Sequence, residues 1–171
     1  YKGNKYTKFA LQLGACTALR SGTIRTLKWE YIDFKQNIIN IPAEQMKMKK
    51  PFILPISSQA KAILKELEAY KIGVYLFSTN SKIMSENTLN KAIKILGFGD
   101  EATFHGFRSQ FSTICNENTQ DHGLTSEITE LCLAHEDKNK VRSAYNKSER
   151  LQEKAKLMEW YGNYINNLKN N

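Results

Sequence analysis

The sequence predicts a mainly helical domain that contains one small three-stranded antiparallel β-sheet. Apolar residues recur at spacings of three and four along most of the chain, which is the period of an amphipathic helix. One central part instead carries short runs rich in β-branched and aromatic residues, and the three prolines lie around those runs. With 171 residues, 41% hydrophobic and 25% charged, the chain has the balance of one globular domain with a buried core.

The N-terminal part predicts two helices. Over residues 4–17 the apolar side chains follow helical spacing, from Tyr6 to Cys16. A shorter helix is predicted from Ser21 to about Lys28, because serine is favoured at helix N-caps.

The centre predicts the sheet, with its first turn near residues 35–37. Its strands are assigned to the short β-branched and aromatic runs Tyr31–Phe34, Ile38–Ile41 and Phe52–Ile56.

Helical spacing returns after the sheet. Ser58 and Ser85 are candidate N-caps of two helices, and the second helix is predicted to end at Gly97. Further helices are predicted at about residues 105–117, 126–133, 139–145 and 149–168. The last one carries an apolar stripe from Leu151 to Leu168, which suits either docking on a partner or packing on its own domain.

The charge predicts a polyanionic partner. Twenty-five Lys and Arg against 17 Asp and Glu give a net charge of +8 and a pI near 9.3, which favours phosphate-rich ligands. A guanidinium can bind one phosphate through two hydrogen bonds, so the few arginines are the candidates for specific contacts. These are Arg20, Arg25, Arg108, Arg142 and Arg150.

Other classes are disfavoured by the sequence. The longest apolar stretches are far shorter than a membrane span, so no integral membrane protein is expected. The three cysteines form no C-x-x-C pair, which predicts reduced cytosolic thiols rather than a disulfide framework or a zinc ribbon.

Two segments carry an arginine in a position suited to binding an anion. Arg20 lies between two predicted helices, just before Gly22, where backbone N–H groups at the helix start can help bind a phosphate. His105 and Arg108 stand three residues apart in F-H-G-F-R, so they share one helix face. Taken alone, each is more often a structural or solvated residue than a catalytic one.

Two further segments complete the set. His135 and Tyr145 stand ten residues apart in A-H-E-D-K-N-K-V-R-S-A-Y-N. Lys47 lies in the predicted turn between the second and third strands, eight residues before Pro55. A lone tyrosine usually packs, and a basic turn is usually solvated.

Together and in this order, the residues resemble the catalytic set of the tyrosine recombinases, also called phage integrases. The segment that contains His135 and Tyr145 is similar to the C-terminal box of prophage and genomic-island integrases. The resemblance covers nearly the whole chain. It implies that residues 1–171 form a single tyrosine-recombinase-like catalytic domain, the C-terminal domain of a longer integrase whose N-terminal DNA-clamping domain is absent here.

The resemblance implies a site and a reaction. The tyrosyl oxygen would attack a DNA backbone phosphorus to give a 3′-phosphotyrosine and a free 5′-hydroxyl, and rejoining would reverse this step. Two arginines would neutralise the phosphate, two histidines would move protons, and a lysine would be the general acid. The implied catalytic residues are Arg20, Lys47, His105, Arg108, His135 and the nucleophile Tyr145. Lysines proposed as further DNA contacts are Lys28, Lys49, Lys50, Lys138 and Lys140.

The cofactor expectation is none: neither a metal ion nor a nucleotide is implied, because arginines and a lysine supply the positive charge that Mg²⁺ supplies in two-metal nucleases. One position departs from the family pattern. The family usually has an acidic residue three positions after the first arginine, where this chain has Thr23. That acid braces the active-site cations, so the support of Arg20 is left open.

The resemblance also implies partners and a biological role. The substrate would be double-stranded DNA attachment sites, recombined to integrate or excise a prophage or genomic island. The protein would be a monomer when free and a homotetramer on DNA, aided by host DNA-bending or directionality factors. It would be cytoplasmic and nucleoid-associated, of bacterial or phage origin.

Three other functions compete with this interpretation. A non-catalytic basic DNA-binding module, either a decayed integrase or a repressor-like domain, would explain the charge and the helices. A type IB topoisomerase shares the chemistry, but the C-terminal box argues against it. A metal-dependent hydrolase is disfavoured because the three histidines, His105, His122 and His135, lack close ligand spacing.

Overall fold

The computed structural model describes residues 1–47, 49–78, 82–135 and 147–168. Over these ranges the fold is mainly helical with one three-stranded antiparallel sheet, as predicted. The helices are α1 (Lys5–Thr17), α2 (Ser21–Thr26), α3 (Ser58–Glu68), α4 (Thr88–Ile95), α5 (Gly106–Glu117), α6 (Thr119–His122), α7 (Ser126–Cys132) and α8 (Lys147–Asn167). The strands are β1 (Ile32–Asp33), β2 (Ile38–Ile41) and β3 (Phe52–Pro55).

The sheet has the order β1-β2-β3, and its central strand fixes the register. Ile39 of β2 lies opposite Ile32 of β1 on one side and Leu54 of β3 on the other. Both Ile39 and Leu54 are fully buried, which ties the sheet to the core. The first turn is where it was predicted, because the Asp33 side chain accepts hydrogen bonds from the backbone N–H groups of residues 35 and 36 at 2.8 and 2.9 Å.

The predicted N-terminal helices form, but their ends differ. The Asn4 side chain caps α1 by accepting from the Tyr6 backbone N–H at 2.8 Å. Arg20, not Ser21, occupies the N-cap of α2. That helix ends at Thr26 because the next residues pair with a distant segment: the Leu27 carbonyl accepts from the Leu76 N–H at 2.9 Å.

Other predicted boundaries shift for equally local reasons. Ser57 caps α3 through a bond from the Ala60 N–H at 3.2 Å, so the cap lies one residue before the predicted Ser58. Ser85 pairs with the Thr88 hydroxyl at 2.8 Å, and α4 begins only at Thr88. The short helix α6 was not predicted. The helix predicted at 139–145 lies outside the described residues.

The apolar stripe of helix α8 was predicted either to dock on a partner or to pack on its own domain. Its middle packs on the domain itself, against α3, α7 and β3, with Leu157, Met158 and Tyr161 buried. Gly162 allows this close approach, because a Cβ there would overlap the side chains of Ser57 and Gln59. Leu168, at the far end, is 59% exposed. In the part of the chain that the structure covers, no helix combines the length and hydropathy needed to cross a membrane.

Lys154 is the unusual residue of α8, because its ammonium is buried. It donates to the Ile53 carbonyl of β3 and lies over the Phe52 ring, 4.6 Å from the centroid. Burial lowers the pKa of Lys154, and the neighbouring Cys132 thiol opposes that shift. The residue therefore ties α8 to the sheet at a cost in desolvation.

We expect Lys154→Met to change the pH dependence of stability. Between the lowered folded pKa and the ordinary 10.5, the unfolded chain binds a proton that the folded chain has lost, so the parent gains stability as pH rises. The variant lacks this gain. Its free energy of unfolding relative to the parent should fall by at most about 1.4 kcal/mol per pH unit in that window. Urea titrations at pH 8 and 10 measure this, with Lys156→Met, an exposed lysine of α8, as control. A pH-independent difference would contradict the expectation.

Candidate active site

Arg108 forms the fixed centre of the site. Its side chain is only 6% exposed, and its guanidinium donates from Nη1 to the Ala18 carbonyl at 2.6 Å and from Nη2 to the Leu133 carbonyl at 2.8 Å. Ala18 directly follows α1 and Leu133 directly follows α7. Carbonyls at helix C-termini carry partial negative charge and favour a cation. Arg108 is therefore held where the ends of two helices meet the start of α5.

The turns that present these carbonyls have an unusual backbone. Ala18 and Ala134 both adopt left-handed conformations, with φ of 51° and 53°. Alanine rarely does so, because its Cβ crowds the backbone, and such strain concentrates at functional sites. Two of the four non-glycine residues with positive φ in the described ranges thus flank one buried guanidinium.

Arg20 contributes a second positive charge close to Arg108. Burial and the charge of Arg20 together lower the pKa of Arg108 to about 10, while Glu130 acts in the opposite direction. Arg108 therefore stays protonated at neutral pH. Two like charges held near each other favour the binding of an anion beside them.

His135 joins this cluster and brings a carboxylate with it. Its Nε2 lies 3.3 Å from Nη2 of Arg108, and its Nδ1 lies 2.6 Å from Oε2 of Glu130. Because a guanidinium can only donate, we assign Nε2 as the acceptor and Nδ1 as the nitrogen that carries the proton and donates to Glu130. Arg108, His135 and Glu130 thus form one hydrogen-bonded chain.

The other predicted residues are placed less closely. His105 precedes α5, and its carbonyl accepts the Arg108 backbone N–H at 3.0 Å, while its side chain is exposed. Lys47 is exposed in the β2–β3 connection, next to the buried Met46. Within the described ranges, a hydrogen-bond contact joins Arg108 to His135, and Arg20 acts on Arg108 through its charge. The side chains of His105 and Lys47 make no hydrogen bond or ion pair with these residues there.

The lysines proposed as DNA contacts differ in their surroundings. Lys28 donates to Glu30 at 3.1 Å and lies 5.6 Å from the Tyr31 ring centroid; the hydrogen bond to Glu30 is the main reason why its pKa is raised. Lys49 and Lys50 are exposed beside Lys47 in the β2–β3 connection. The remaining candidates, together with the proposed nucleophile, lie outside the described residues: Lys138, Lys140 and Tyr145.

Two of the remaining arginines have structural partners. Arg25 donates from Nε to the Met84 carbonyl at 2.6 Å, and Arg150 donates to Glu127 at 2.8 Å.

His122 is structural as well. It is buried, with Nε2 at 2.8 Å from the Cys115 carbonyl and Nδ1 accepting from the Leu124 N–H at 3.1 Å. Both ring nitrogens are thus occupied, and His122 is not at the site.

Three buried thiols lie in the core. The three cysteines form no disulfide bond, and burial raises the pKa values of Cys115 and Cys132 to about 12, so these two thiols are poor nucleophiles. Among the residues that the structure describes, no three His, Cys, Asp or Glu side chains are grouped so as to hold a metal ion.

The sequence of the chain is similar to those of known proteins. Residues 2–151 match the model of the phage integrase family. The chain is 32% identical to the integrase of Enterobacteria phage P4, over 96% of this chain and 41% of that protein. It is 35% identical to the prophage integrase IntA of Escherichia coli, over 87% and 36%, and 30% identical to the integrase of Shigella phage Sf6, over 96% and 43%. The chain thus spans about two fifths of the length of these relatives.

Proposed function

Because the chain belongs to the phage integrase family, the tyrosine recombinases, we propose that it is the catalytic domain of a site-specific DNA recombinase. In this proposal residues 1–171 form the C-terminal catalytic part of a longer integrase, which breaks and rejoins strands through a 3′-phosphotyrosine. The observation that carries the proposal is the cluster of Arg20, Arg108 and His135. Its two arginines supply positive charge, and hydrogen bonds fix Arg108 between the ends of α1 and α7 and beside His135.

The arginines would act on the phosphate. As an oxygen attacks phosphorus, negative charge grows on the non-bridging oxygens, and donors fixed in advance stabilise it without having to reorganise. Arg108 is such a donor, since two backbone carbonyls hold its guanidinium in place. Arg20, at the N-cap of α2, would add a second positive charge near Arg108.

The protons need separate carriers. A tyrosyl oxygen with an ordinary pKa near 10 is a poor nucleophile at neutral pH, so Tyr145 would need a base and a nearby positive charge. His135 and His105 are the residues suited to exchanging that proton. Lys47, exposed on the β2–β3 connection, would protonate the departing 5′-oxygen, and Lys49 and Lys50 would contact the backbone nearby.

The relatives support a proposal for the biological role. Phage and prophage integrases are similar to this chain, so we infer that its substrate is a pair of DNA attachment sites of a prophage or genomic island. In this proposal four copies assemble on DNA from free monomers, host DNA-bending or directionality factors assist them, and the protein works at the nucleoid. The net charge of +8 supports binding to DNA.

The experiment is capture of the covalent intermediate. We expect the 171-residue chain, incubated with nicked duplexes of randomised core sequence, to form protein–DNA adducts that resist SDS and disappear on proteolysis. Adduct yield should be unchanged by EDTA and should need no nucleotide, because the proposed chemistry uses arginine and lysine charges in place of a metal. Sequencing the captured DNA would identify the cleavage site.

Two results would contradict this proposal. Loss of adduct in EDTA with recovery on adding Mg²⁺ would point to a metal-dependent nuclease. Binding of the duplexes without formation of any covalent adduct would favour the non-catalytic DNA-binding module.

A further inference from the structure

The sequence motifs do not include Glu130, yet its carboxylate contacts His135. We propose that Glu130 is a positioning residue: its carboxylate orients His135 and offsets the charge of Arg108. This inference rests on the proposed function and concerns the same site.

The backbone explains why Glu130 meets His135. Helix α7 ends in a turn in which the His135 N–H bonds to the Glu130 carbonyl at 3.0 Å and the Ala134 N–H bonds to the Leu131 carbonyl at 3.3 Å. With Ala134 left-handed, this is the Schellman arrangement, which sets the residues at its two ends side by side. The side chains then need only one hydrogen bond, from Nδ1 to Oε2 at 2.6 Å, to fix the imidazole ring.

Charge supports the same role. The described groups that act on Arg108 are Arg20, which repels it, and Glu130, which favours its charged form. The first turn of α2 carries no acidic residue. The other glutamate of α7 with a recorded partner, Glu127, pairs with Arg150 at 2.8 Å and not with the cluster. Glu130 is thus the carboxylate that favours the charged form of Arg108 in the part of the site that the structure describes.

Orientation matters because His135 has two chemically different nitrogens. With Nδ1 donating to Glu130, Nε2 is the nitrogen that faces Arg108 and hence the phosphate position. A carboxylate behind a histidine fixes its tautomer and ring direction, and such outer partners of metal-bound histidines are worth roughly 10–100-fold in activity. The same logic applies to a histidine that serves a phosphate.

The test compares Glu130→Gln with Glu127→Gln in the 171-residue chain. Both variants remove one negative charge from α7, and Glu130 is half-exposed, so we expect both to fold, as thermal unfolding will verify. We expect Glu130→Gln to slow adduct formation at saturating DNA by roughly 10–100-fold with DNA affinity little changed, and Glu127→Gln to cleave as the parent does.

A second measurement does not depend on activity. In the DNA-free parent, two-bond ¹H–¹⁵N couplings of the imidazole should show His135 protonated at Nδ1 and bare at Nε2. In Glu130→Gln the Nε2-protonated form should become populated, and in Glu127→Gln it should not.

The outcomes separate this inference from the function beneath it. If the parent forms no adduct, the proposed function fails, and the tautomer measurement still decides whether Glu130 orients His135. If the parent forms adducts and Glu130→Gln forms them equally fast, or both glutamine variants are equally slow, the positioning role is overturned.

Discussion

Tyr145→Phe should abolish the covalent adduct while leaving DNA binding intact. Phenylalanine keeps the ring but lacks the oxygen that would attack phosphorus, so no ester can form. Removal of a covalent nucleophile elsewhere costs far more than 1000-fold, and we expect a loss of at least about that size here. The measurement is the rate of SDS-resistant adduct formation on a captured suicide duplex, beside the dissociation constant for the same duplex.

Tyr164→Phe is the matched control. Tyr164 lies on α8, where its ring stacks on Trp160 with centroids 5.4 Å apart, and it has no place in the proposed site. It should cleave at the parent's rate. An adduct of normal yield in Tyr145→Phe would remove Tyr145 as the nucleophile and direct attention to the other seven tyrosines.

Arg20→Lys should lower the cleavage rate by about 100-fold or more, comparable to losing one oxyanion-hole donor, with a much smaller effect on DNA affinity. Lysine keeps the charge, which dominates binding, but loses the planar pair of donors that a phosphate in the transition state requires. Arg25→Lys is the control on the same short helix, since Arg25 donates to the Met84 carbonyl. It should affect thermal stability more than cleavage.

Arg108→Lys should show both kinds of loss at once. A lysine ammonium cannot reach the Ala18 and Leu133 carbonyls and the ring of His135 together, so the protein should be less stable as well as slower. Comparing single-turnover cleavage, DNA affinity and thermal unfolding separates these effects. Equal losses of affinity and cleavage in Arg20→Lys would make Arg20 an ordinary phosphate contact.

The motifs selected cationic residues that lie near one another in the structure, and their catalytic roles stay a prediction. Arg20, Arg108 and His135 were selected from motifs spread over more than a hundred residues, and the structure brings them together. The motifs did not reveal what holds them. The acceptors on Arg108 are backbone carbonyls, and every residue has one, so no residue type marks them. Glu130 was missed because the turn that joins it to His135 has alanine at the left-handed position, where glycine is usual, so the sequence does not indicate such a turn.

Secondary structure shows the same division. Helices with a clear apolar period were predicted correctly, including α1, α3 and α5, because burial of one face decides them. Helix ends were less predictable where two neighbours are both good caps, as with Ser57 and Ser58. The early end of α2 depends on pairing of Lys28 with Tyr75, a contact between segments that local sequence does not encode.

The way in which Arg108 is anchored couples chemistry to the completeness of folding. Its carbonyl partners are 90 residues before it and 25 residues after it in the chain, each at the end of a different helix. In a chain that is still being synthesised, or one that has locally unfolded, the Arg108 guanidinium therefore lacks the carbonyls that hold it in place. The position of the guanidinium thus depends on both helix ends, and local opening at either one would release it even though Arg108 itself is unchanged.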